Sequence, residues 1–397
     1  MKLKGALIIM LIISLCYCKH QDEIELKREV TFQIGFQSSA KYTGVYYDKT
    51  LKKEIIYFAE PVTRKCLKTF DLFGNIIDSI LLVNALDYLG EIEGISVISK
   101  DTIIVNSLYT NKYAIINSQG KCWHTVDLNN AMQNINNNIY ELYTSVMPSS
   151  IKFQDFLIFN CSWRYNSIDR LNNNEPANDL DYLKYFYKNT LHSPYFIKVN
   201  DYISQTPNVE FGLFSFYNQI SEFPKVFVEP PFFKILNDKI FVFSTYSDFL
   251  FVVNPYDLEI LEKIKITSRY TDIGIKAPSI SMETIPYLEK IINDEARTKG
   301  YINRIYYNTI DKEYIVEVVH ELKKDDVSKA NIVFRPFSII VFNESFTKYN
   351  EFNFPKDKYN GGFSALTQEG LMIAKKPNLK IQSNDHEKTF SIFTFKK

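Results

Sequence analysis

The chain has 397 residues, of which 46% are hydrophobic and 15% aromatic, so it is long enough to bury a large core. Its net charge is zero, and no basic stripe interleaved with aromatic residues is present, which argues against a nucleic-acid partner. Glycine is scarce at 13 residues, while tyrosine and phenylalanine number 27 and 31, a balance that favours β-strands and excludes a disordered chain.

The first residues have the pattern of a secretory signal peptide. Two lysines precede an apolar run over residues 5–15, which is too short to span a bilayer. The run ends at Leu15-Cys16-Tyr17-Cys18, and a leucine three residues before a cysteine resembles the lipobox of bacterial lipoproteins. We therefore predict a signal peptide over residues 1–17 and lipidation of Cys18, which would anchor the chain to a membrane.

The processing site has two alternatives. Tyr17 is bulkier than the residue usual before a lipobox cysteine, and Cys16 is a rival acceptor with Ile13 three residues earlier. Cleavage by the ordinary signal peptidase is the other alternative. Residues 18–23 are predicted to form a tether, and its Lys/acidic cluster resembles the surface-export signal of some Bacteroidetes lipoproteins. We predict an outer-membrane or cell-surface location, with a periplasm-facing protein as the alternative.

Residues 24–397 are predicted to form one domain built from a repeated sheet. Ile24–Ile34 alternates apolar and polar residues, as a strand with one solvated face does. The first two repeats each end in a hairpin whose turn contains glycine, Gly74 or Gly120. Their predicted strands are 42–48, 55–58, 67–72 and 76–82, then 92–98, 101–105, 112–117 and 122–128.

The later repeats carry insertions. Residues 129–145 are predicted to hold one or two helical turns around Ile139, Leu142 and Tyr143. Trp163–Ser193 is an aromatic-rich insertion, and Thr284–Lys299 has the apolar spacing of an amphipathic helix. The predicted strands of the third repeat are 151–153, 156–160, 194–200 and 209–216. Those of the fourth are 231–236, 239–244, 248–254 and 258–266, those of the fifth 301–307, 314–320, 336–343 and 346–354, and those of the sixth 362–366, 371–374 and 389–395.

The sixth repeat is one strand short, and Ile24–Ile34 can supply that strand. A radial array of sheets must close on itself to leave no unpaired edge. We therefore predict an all-β, six-bladed β-propeller, last blade closed by the N-terminal strand, with short helical insertions. The alternatives are a β-sandwich, two smaller β domains, or a seven-bladed ring in which Val209–Phe216 belongs to its own sheet.

Several short phrases match a pattern seen elsewhere. They are Gly90-Glu91-Ile92-Glu93-Gly94-Ile95 before Asp101-Thr102-Ile103-Ile104, Arg304-Ile305-Tyr306-Tyr307, Pro336-Phe337-Ser338-Ile339-Ile340-Val341 and Glu369-Gly370-Leu371-Met372-Ile373. They resemble an uncharacterised family of Bacteroidetes lipoproteins, catalogued as a domain of unknown function and expected to be propellers. The resemblance implies a propeller and a lipoprotein, and it carries over no activity and no catalytic residue.

Propellers bind ligands at the central channel or on the loops of one face. The polar residues on or beside the predicted inner strands are Tyr46, Glu93, Lys152, Glu229, Lys234 and Arg304. A ring with both signs of charge suits a polar ligand such as a sugar or a peptide terminus. The alternative is a water-filled channel in which these side chains pair with one another. The insertion that contains Trp163 is a second candidate, as a docking surface for a glycan or protein or as a flap packed on the blades.

The sequence contains no catalytic phrase. Its five histidines lack metal-ligand spacing, and it has neither a Gly-x-Ser-x-Gly elbow nor a glycine-rich phosphate loop. Cys66, Cys122 and Cys161 are too few and too widely spaced for a disulfide framework or a zinc site. We predict no cofactor, and an envelope-anchored lipoprotein acting as a non-enzymatic binding or scaffold module. The alternative is a propeller-type hydrolase or lyase with its site at the central channel.

Overall fold

The computed structural model describes most of the chain between Ile24 and Phe395. The described residues are 24–36, 42–62, 64–107, 110–132, 139–142, 150–164, 194–212, 214–216, 231–277, 300–322, 335–355, 357–376 and 387–395, with isolated positions at 180, 181, 184, 219 and between 279 and 299. The predicted signal peptide and tether, with Cys18, lie outside this part of the chain. Most of the insertion Trp163–Ser193 and the charged loop after Leu322 do so as well.

The first strand, β1 (Ile24–Gln33), precedes two regular four-stranded sheets. Blade 1 consists of β2 (Thr43–Asp48), β3 (Lys53–Glu60), β4 (Cys66–Phe70) and β5 (Ile76–Leu81). Helix α1 (Val83–Leu89), which the sequence analysis did not predict, leads to blade 2. Blade 2 consists of β6 (Gly94–Ser99), β7 (Thr102–Asn106), β8 (Lys112–Ile116) and β9 (Cys122–Asp127).

Blade 3 is the irregular sheet. After helix α2 (Asn129–Met132) it contains β10 (Ile139–Leu142), β11 (Ser150–Phe153), β12 (Phe156–Arg164), β13 (Phe196–Asn200) and β14 (Asn208–Phe211). The helical turns predicted around Ile139 and Leu142 are wrong, because these residues form β10, which pairs with the extension of β12 to Arg164. Strand β14 pairs with β13, so Val209–Phe216 does not start a seventh sheet.

Blades 4 and 5 follow, and blade 6 closes the ring. Blade 4 consists of β15 (Phe232–Leu236), β16 (Lys239–Phe243), β17 (Phe249–Val253) and β18 (Ile260–Lys265). Blade 5 consists of β19 (Tyr301–Asn308), β20 (Glu313–Val319), β21 (Phe337–Asn343) and β22 (Lys348–Phe354). Blade 6 consists of β23 (Tyr359–Thr367), β24 (Gly370–Lys375), β25 (Glu387–Phe395) and β1. The segment before blade 5 contains a 3-10 turn, Ile285–Tyr287, and the described positions from 290 to 298 are helical.

Strand β1 closes the ring as predicted. It pairs antiparallel with β25, from Ile24 opposite Phe395 to Gln33 opposite Glu387. Phe32 of β1 is fully buried, and its ring lies 5.3 Å from that of Phe58 and 5.7 Å from that of Phe390 (centroid distances). The first and last described strands are therefore joined by hydrogen bonds and by an aromatic core, and the prediction of a six-bladed β-propeller is confirmed.

The hydrophobic core is divided between the blades. Six clusters of buried side chains occur in the described part of the chain, and each draws its residues from two adjacent blades. The inner strands β2, β6, β11, β15, β19 and β23 each contact the inner strands of the two neighbouring blades. These contacts form a ring around a central channel, where polar side chains need not fit into an apolar core.

The two faces of the ring differ in their connections. Because the strands of each blade are antiparallel, the links from first to second and from third to fourth strand lie on one face, which we call the short-turn face. The links from second to third strand and from blade to blade lie on the opposite, long-loop face. Ile24 and Phe395 are at the short-turn face. Strands β12, β18 and β20, each of which precedes a long connection, end at the long-loop face.

Candidate functional site

Polar side chains from three blades meet at the inner edge of blade 5, in a group that we call the channel cluster. Its members are Lys234 of β15, Asn303, Arg304 and Tyr306 of β19, Glu317 of β20 and Ser364 of β23. Lys234 and Asn303 are half-buried and the adjacent Gly362 is exposed, so water reaches the cluster from the channel. All of these residues except Glu317, which lies on the second strand of blade 5, are on inner strands that start at the long-loop face.

Local irregularities of the strands bring these residues together. The register of β19 shifts between Ile302 and Arg304, which places Arg304 opposite Glu317 of β20. Ile305 packs toward blade 4, whereas Tyr306 packs toward blade 6, as the alternation of side chains along a strand requires. A β-bulge of this kind commonly re-aims a side chain next to a functional site.

Glu317 is the buried acid of the cluster. Its side chain accepts hydrogen bonds from Ser364 Oγ at 2.5 Å and from Asn303 Nδ2 at 2.5 Å. Burial raises the pKa of Glu317, although the positive charge of Arg304 and the two hydrogen bonds act in the opposite direction. The carboxyl group is thus held in place by blades 5 and 6, in a site that favours its protonated form more than water does.

Tyr306 joins the acid to the basic residues. Its hydroxyl donates a hydrogen bond to the carbonyl oxygen of Ser364 at 2.8 Å, and burial raises its pKa to about 12. The Nζ atom of Lys234 lies 4.2 Å from the centroid of the Tyr306 ring, a cation–π distance. Lys234 belongs to blade 4 and Tyr306 packs toward blade 6, so this contact crosses the inner edge of blade 5.

The Lys234 amine has no hydrogen-bond acceptor within the described part of the chain. Leu236, on the same side of β15, packs against blade 5, and the Lys234 side chain extends in that direction beside Arg304. Burial, reinforced by the positive charge of Arg304, lowers the pKa of Lys234 to about 7. This amine therefore changes its charge near neutral pH, which an ordinary surface lysine does not do.

Arg304 is also incompletely satisfied. Its Nη2 atom donates to the carbonyl oxygen of Gly362 at 3.0 Å, but its Nε atom is buried and has no hydrogen-bond partner among the described residues. The side chain is only 9% exposed. Neither Arg304 nor Glu317 belongs to an ion pair in the described part of the chain. The Arg304 guanidinium and the Glu317 carboxyl group are therefore not in direct contact with each other. Buried donors are normally paired, so the buried Nε atom without a partner among the described residues is unusual.

The structure separates the candidate residues that the sequence analysis grouped. Arg304 and Lys234 meet in the channel cluster. Tyr46 instead lines a small pocket between blades 1 and 2, next to Asp48 and Asp78, and burial raises its pKa to about 12. Lys152 is exposed, with Nζ 5.6 Å from the centroid of the Tyr202 ring.

Three other candidates contribute nothing to the channel cluster in the described structure. The backbone carbonyl of Glu93 accepts a hydrogen bond from the Tyr42 hydroxyl at 3.1 Å, between blades 1 and 2. Trp163 lies on β12 opposite Tyr140 of β10. Glu229 lies outside the described residues. The binding roles of these residues, of Tyr46 and of Lys152 stay predictions.

The sequence analysis did not select Glu317, Tyr306 or Ser364. A signal for Glu317 was present, because every residue of β20 is buried and Glu317 is a charge inside that apolar strand. A buried carboxylate requires polar partners, so its position alone indicates a polar site nearby. Its partners come from another blade, 47 positions away for Ser364, and no local pattern connects them.

The described residues carry no sign of a metal centre. No group of three or more His, Cys, Asp or Glu side chains in this part of the chain is arranged to hold a metal ion. Cys66, Cys122 and Cys161 are free thiols. Within the same residues, no helix has the length and apolar character needed to span a membrane.

Solved bacterial structures have a similar fold. A member of the DUF4221 family from Bacteroides vulgatus has a TM-score of 0.68 and 18% identity, with 95% of this chain and 99% of that chain covered. A Bacteroides fragilis protein whose name places it among exported proteins has a TM-score of 0.51 and 11% identity, with 94% and 96% covered. No protein-family model and no curated protein matches the chain. The first structure confirms the resemblance to a Bacteroidetes family of unknown function, and at this identity it shows the fold alone.

Proposed function

We propose that the chain is an envelope-anchored, non-enzymatic binding module whose polar ligand enters the central channel and contacts the channel cluster. One observation carries the proposal: beside the exposed Gly362, Lys234 and Arg304 each have an N–H group without an acceptor among the described residues. If the polar side chains of the channel paired only with one another, these donors would have acceptors within the protein. The aromatic insertion with Trp163, as a second docking surface for a glycan or protein, stays a prediction.

The anchoring part of the proposal rests on the lipobox-like sequence that ends at Cys18. The similar Bacteroides fragilis protein is named as exported, which agrees with export of this chain. Strand β1 starts at the short-turn face, and residues 19–23 separate Cys18 from Ile24. Five residues reach at most about 18 Å when extended. With Cys18 lipidated, the short-turn face would lie near the membrane and the long-loop face would point away from it.

Lipid attachment is tested by metabolic labelling of the full chain with a fatty acid. We expect Cys18→Ala to abolish incorporation and Cys16→Ala, the matched control two residues earlier, to retain it. The physical reason is that the acyl chains require the Cys18 thiol and amine after signal cleavage. Continued labelling of Cys18→Ala would refute Cys18 as the acceptor.

Binding in the channel is tested by narrowing it. Gly362 is exposed on the inner strand β23, and a Cβ atom built there meets only Asn360 Oδ1, at 3.4 Å. Gly362→Leu therefore adds bulk beside Arg304 while leaving every member of the channel cluster in place. We expect ligand-observed NMR, with a panel of neutral sugars, sugar acids and blocked dipeptides, to detect binding to the wild-type protein that Gly362→Leu abolishes.

The matched control is Lys263→Met, which changes an exposed residue of the outer strand β18 and should leave the NMR signals unchanged. Thermal unfolding of both variants verifies that each is folded. If no compound of the panel distinguishes the wild-type protein from Gly362→Leu, the channel is not the binding site and the proposal is wrong.

A further inference from the structure

We infer that the channel cluster binds the carboxylate group of a small monoanionic ligand, held between Lys234 and Arg304. This inference rests on the proposed function, because it assigns a ligand class to the same channel site. It adds a chemical specificity that neither the fold nor the similar structures supply. Three features of the channel cluster support it: the donors without acceptors, the balance of charges and the access of water.

The free donors fit a carboxylate. Arg304 already uses Nη2 on the Gly362 carbonyl, while its buried Nε has no partner. The Lys234 amine is held over the Tyr306 ring and has no acceptor among the described residues. A carboxylate has two oxygen atoms and accepts strong, charge-assisted hydrogen bonds from both types of nitrogen. One oxygen can satisfy Nε while the other accepts from Nζ.

The charge balance favours a single negative charge. Lys234 and Arg304 are two basic groups, and Glu317 is the acid that lies near both. When Lys234, Arg304 and Glu317 are all ionised, a bound monoanion leaves the site close to neutral. A dianionic phosphate would place excess negative charge beside Glu317 in a partly buried site, where repulsion between like charges is poorly screened.

The site should couple ligand binding to proton uptake. The groups that face Lys234 are Arg304 and Tyr306 of β19 and Glu317 of β20. A carboxylate bound to the Lys234 amine favours its charged form, and the free protein releases that proton near pH 7. The affinity should therefore fall by about tenfold between pH 6 and pH 8, since the protonated fraction of the amine falls by that factor.

The test is calorimetric titration of the full chain with matched pairs of probes. One pair is D-glucuronate and D-glucose, and the other is N-acetylglycylglycine and its C-terminal amide. We expect at least one acid to bind at pH 6.5 and its neutral counterpart to bind at least tenfold more weakly. The two arms distinguish the sources of the carboxylate, a sugar acid or a peptide C-terminus.

Three variants connect the result to Lys234. Lys234→Met should lower the affinity for the acid at least tenfold and remove its pH dependence. Lys234→Arg should keep binding at pH 8, because a guanidinium group retains its charge there. Lys263→Met is the matched control, since the exposed Lys263 lies on the outer strand β18 with its Nζ atom 4.3 Å from the centroid of the Phe249 ring, and should change nothing.

Several results would overturn the inference. Equal binding of acid and neutral probes, or of inorganic phosphate and the acids, would contradict the assignment of a carboxylate. An unchanged affinity and pH profile in folded Lys234→Met would do the same. Failure of the inference differs from failure of the proposed function: neutral sugars that bind the wild-type protein and not Gly362→Leu would leave a channel-binding module with a different ligand class.

Discussion

Two of the buried glutamates of blade 5, Glu317 and Glu351, have different surroundings. Glu351 forms an ion pair with Lys348 Nζ at 2.6 Å and accepts hydrogen bonds from Ser268 Oγ at 2.5 Å and Ser338 Oγ at 2.8 Å. The backbone N–H of Arg269 supplies a further bond at 2.8 Å. Burial alone would raise the pKa of Glu351, but these partners lower it overall.

Around Glu317 the balance is reversed. Burial outweighs the hydrogen bonds and the pKa is raised, while Arg304 keeps a buried donor without a partner. The network of Glu351 is complete, and it fastens the chain after β18 to the outer strand β22. A fully satisfied buried network contributes rigidity, whereas an incompletely satisfied one has donors left for a ligand. Charge burial by itself therefore does not distinguish the two glutamates, whereas the unpaired donor of Arg304 beside Glu317 does.

The largest expected effect is on stability, from removal of the complete network. Glu351→Ala should lower the free energy of unfolding by about 3–5 kcal/mol, because it leaves the Lys348 charge and the hydroxyl donors unpaired. Urea denaturation measures the change. Glu210→Ala is the matched control, because Glu210 pairs with Lys198 at 2.5 Å but is 49% exposed, and should cost about 0–1 kcal/mol.

Ligand binding by Glu351→Ala tests whether the Glu351 network is independent of the channel cluster. At a temperature where Glu351→Ala remains folded, its affinity for the acid probe should equal that of the wild-type protein. Loss of binding in a folded Glu351→Ala variant would mean that the two clusters act together, and the contrast between them would fail.

A second, smaller effect concerns alkaline pH and Lys234. The pKa of this amine is about 7 in the folded protein and higher in the unfolded chain, so the unfolded state binds more protons between those values. Stability should therefore rise with pH from about 7 to 10, by about 2 kcal/mol, less than the full shift implies because water reaches the amine. Lys234→Met should be more stable than the wild-type protein at pH 7, and the difference should vanish toward pH 10 in denaturation curves. A constant difference across this range would contradict the lowered pKa.

Under acidic conditions, Glu351 and Glu317 should change the stability of the protein in opposite directions. Glu351 has a lowered pKa, so its contribution to stability is present above the unfolded value of 4.5 and is lost as pH falls through the folded value. Glu317 has a raised pKa, so the folded state binds more protons and stability rises as pH falls from the folded value toward 4.5. Glu351→Gln should weaken the loss of stability in acid, and Glu317→Gln should remove the gain of stability in acid. Thermal unfolding between pH 3 and 7 measures both slopes, and slopes of the same sign would refute the contrast.

The sequence predicted the blades far better than the channel cluster. Alternating and continuous apolar runs, with Gly74 and Gly120 in hairpin turns, locate the strands of blades 1 and 2 within a few residues. The last repeat is one strand short, and the requirement that no sheet edge stays unpaired identified β1 as the strand that completes it. The errors are local: α1 went unnoticed, and β10 was read as helix because its pairing depends on the extension of β12.

The cluster was only half predicted, because its geometry depends on contacts between blades. Position on an inner strand was enough to select Lys234 and Arg304, and Tyr46 was selected by the same rule. Inner strands have two sides, however, and the side chain of Tyr46 enters the space between blades 1 and 2. The register shift before Arg304 directs its side chain toward blade 6, and no sequence pattern reports that shift.

The smallest expected effect separates the ring of Tyr306 from its hydroxyl. Tyr306→Phe removes the hydrogen bond to Ser364 but keeps the aromatic face that lies 4.2 Å from Lys234 Nζ. Stability should fall by about 1 kcal/mol, the usual net value of one buried hydrogen bond. Tyr113→Phe is the matched control, because the fully buried Tyr113 hydroxyl donates to the Tyr202 carbonyl at 2.5 Å, and should lose a similar amount.

Tyr306→Phe and Tyr113→Phe should also bind the acid probe with the affinity of the wild-type protein. Tyr306→Leu, which removes the ring, should weaken that binding by about fivefold, since a cation–π contact contributes about 1 kcal/mol to holding the Lys234 amine in the channel. Calorimetric titration at pH 6.5 resolves a change of this size. If Tyr306→Leu bound as tightly as Tyr306→Phe, the ring would be only a part of the core between blades 5 and 6, and Lys234 would reach its position in the channel without it.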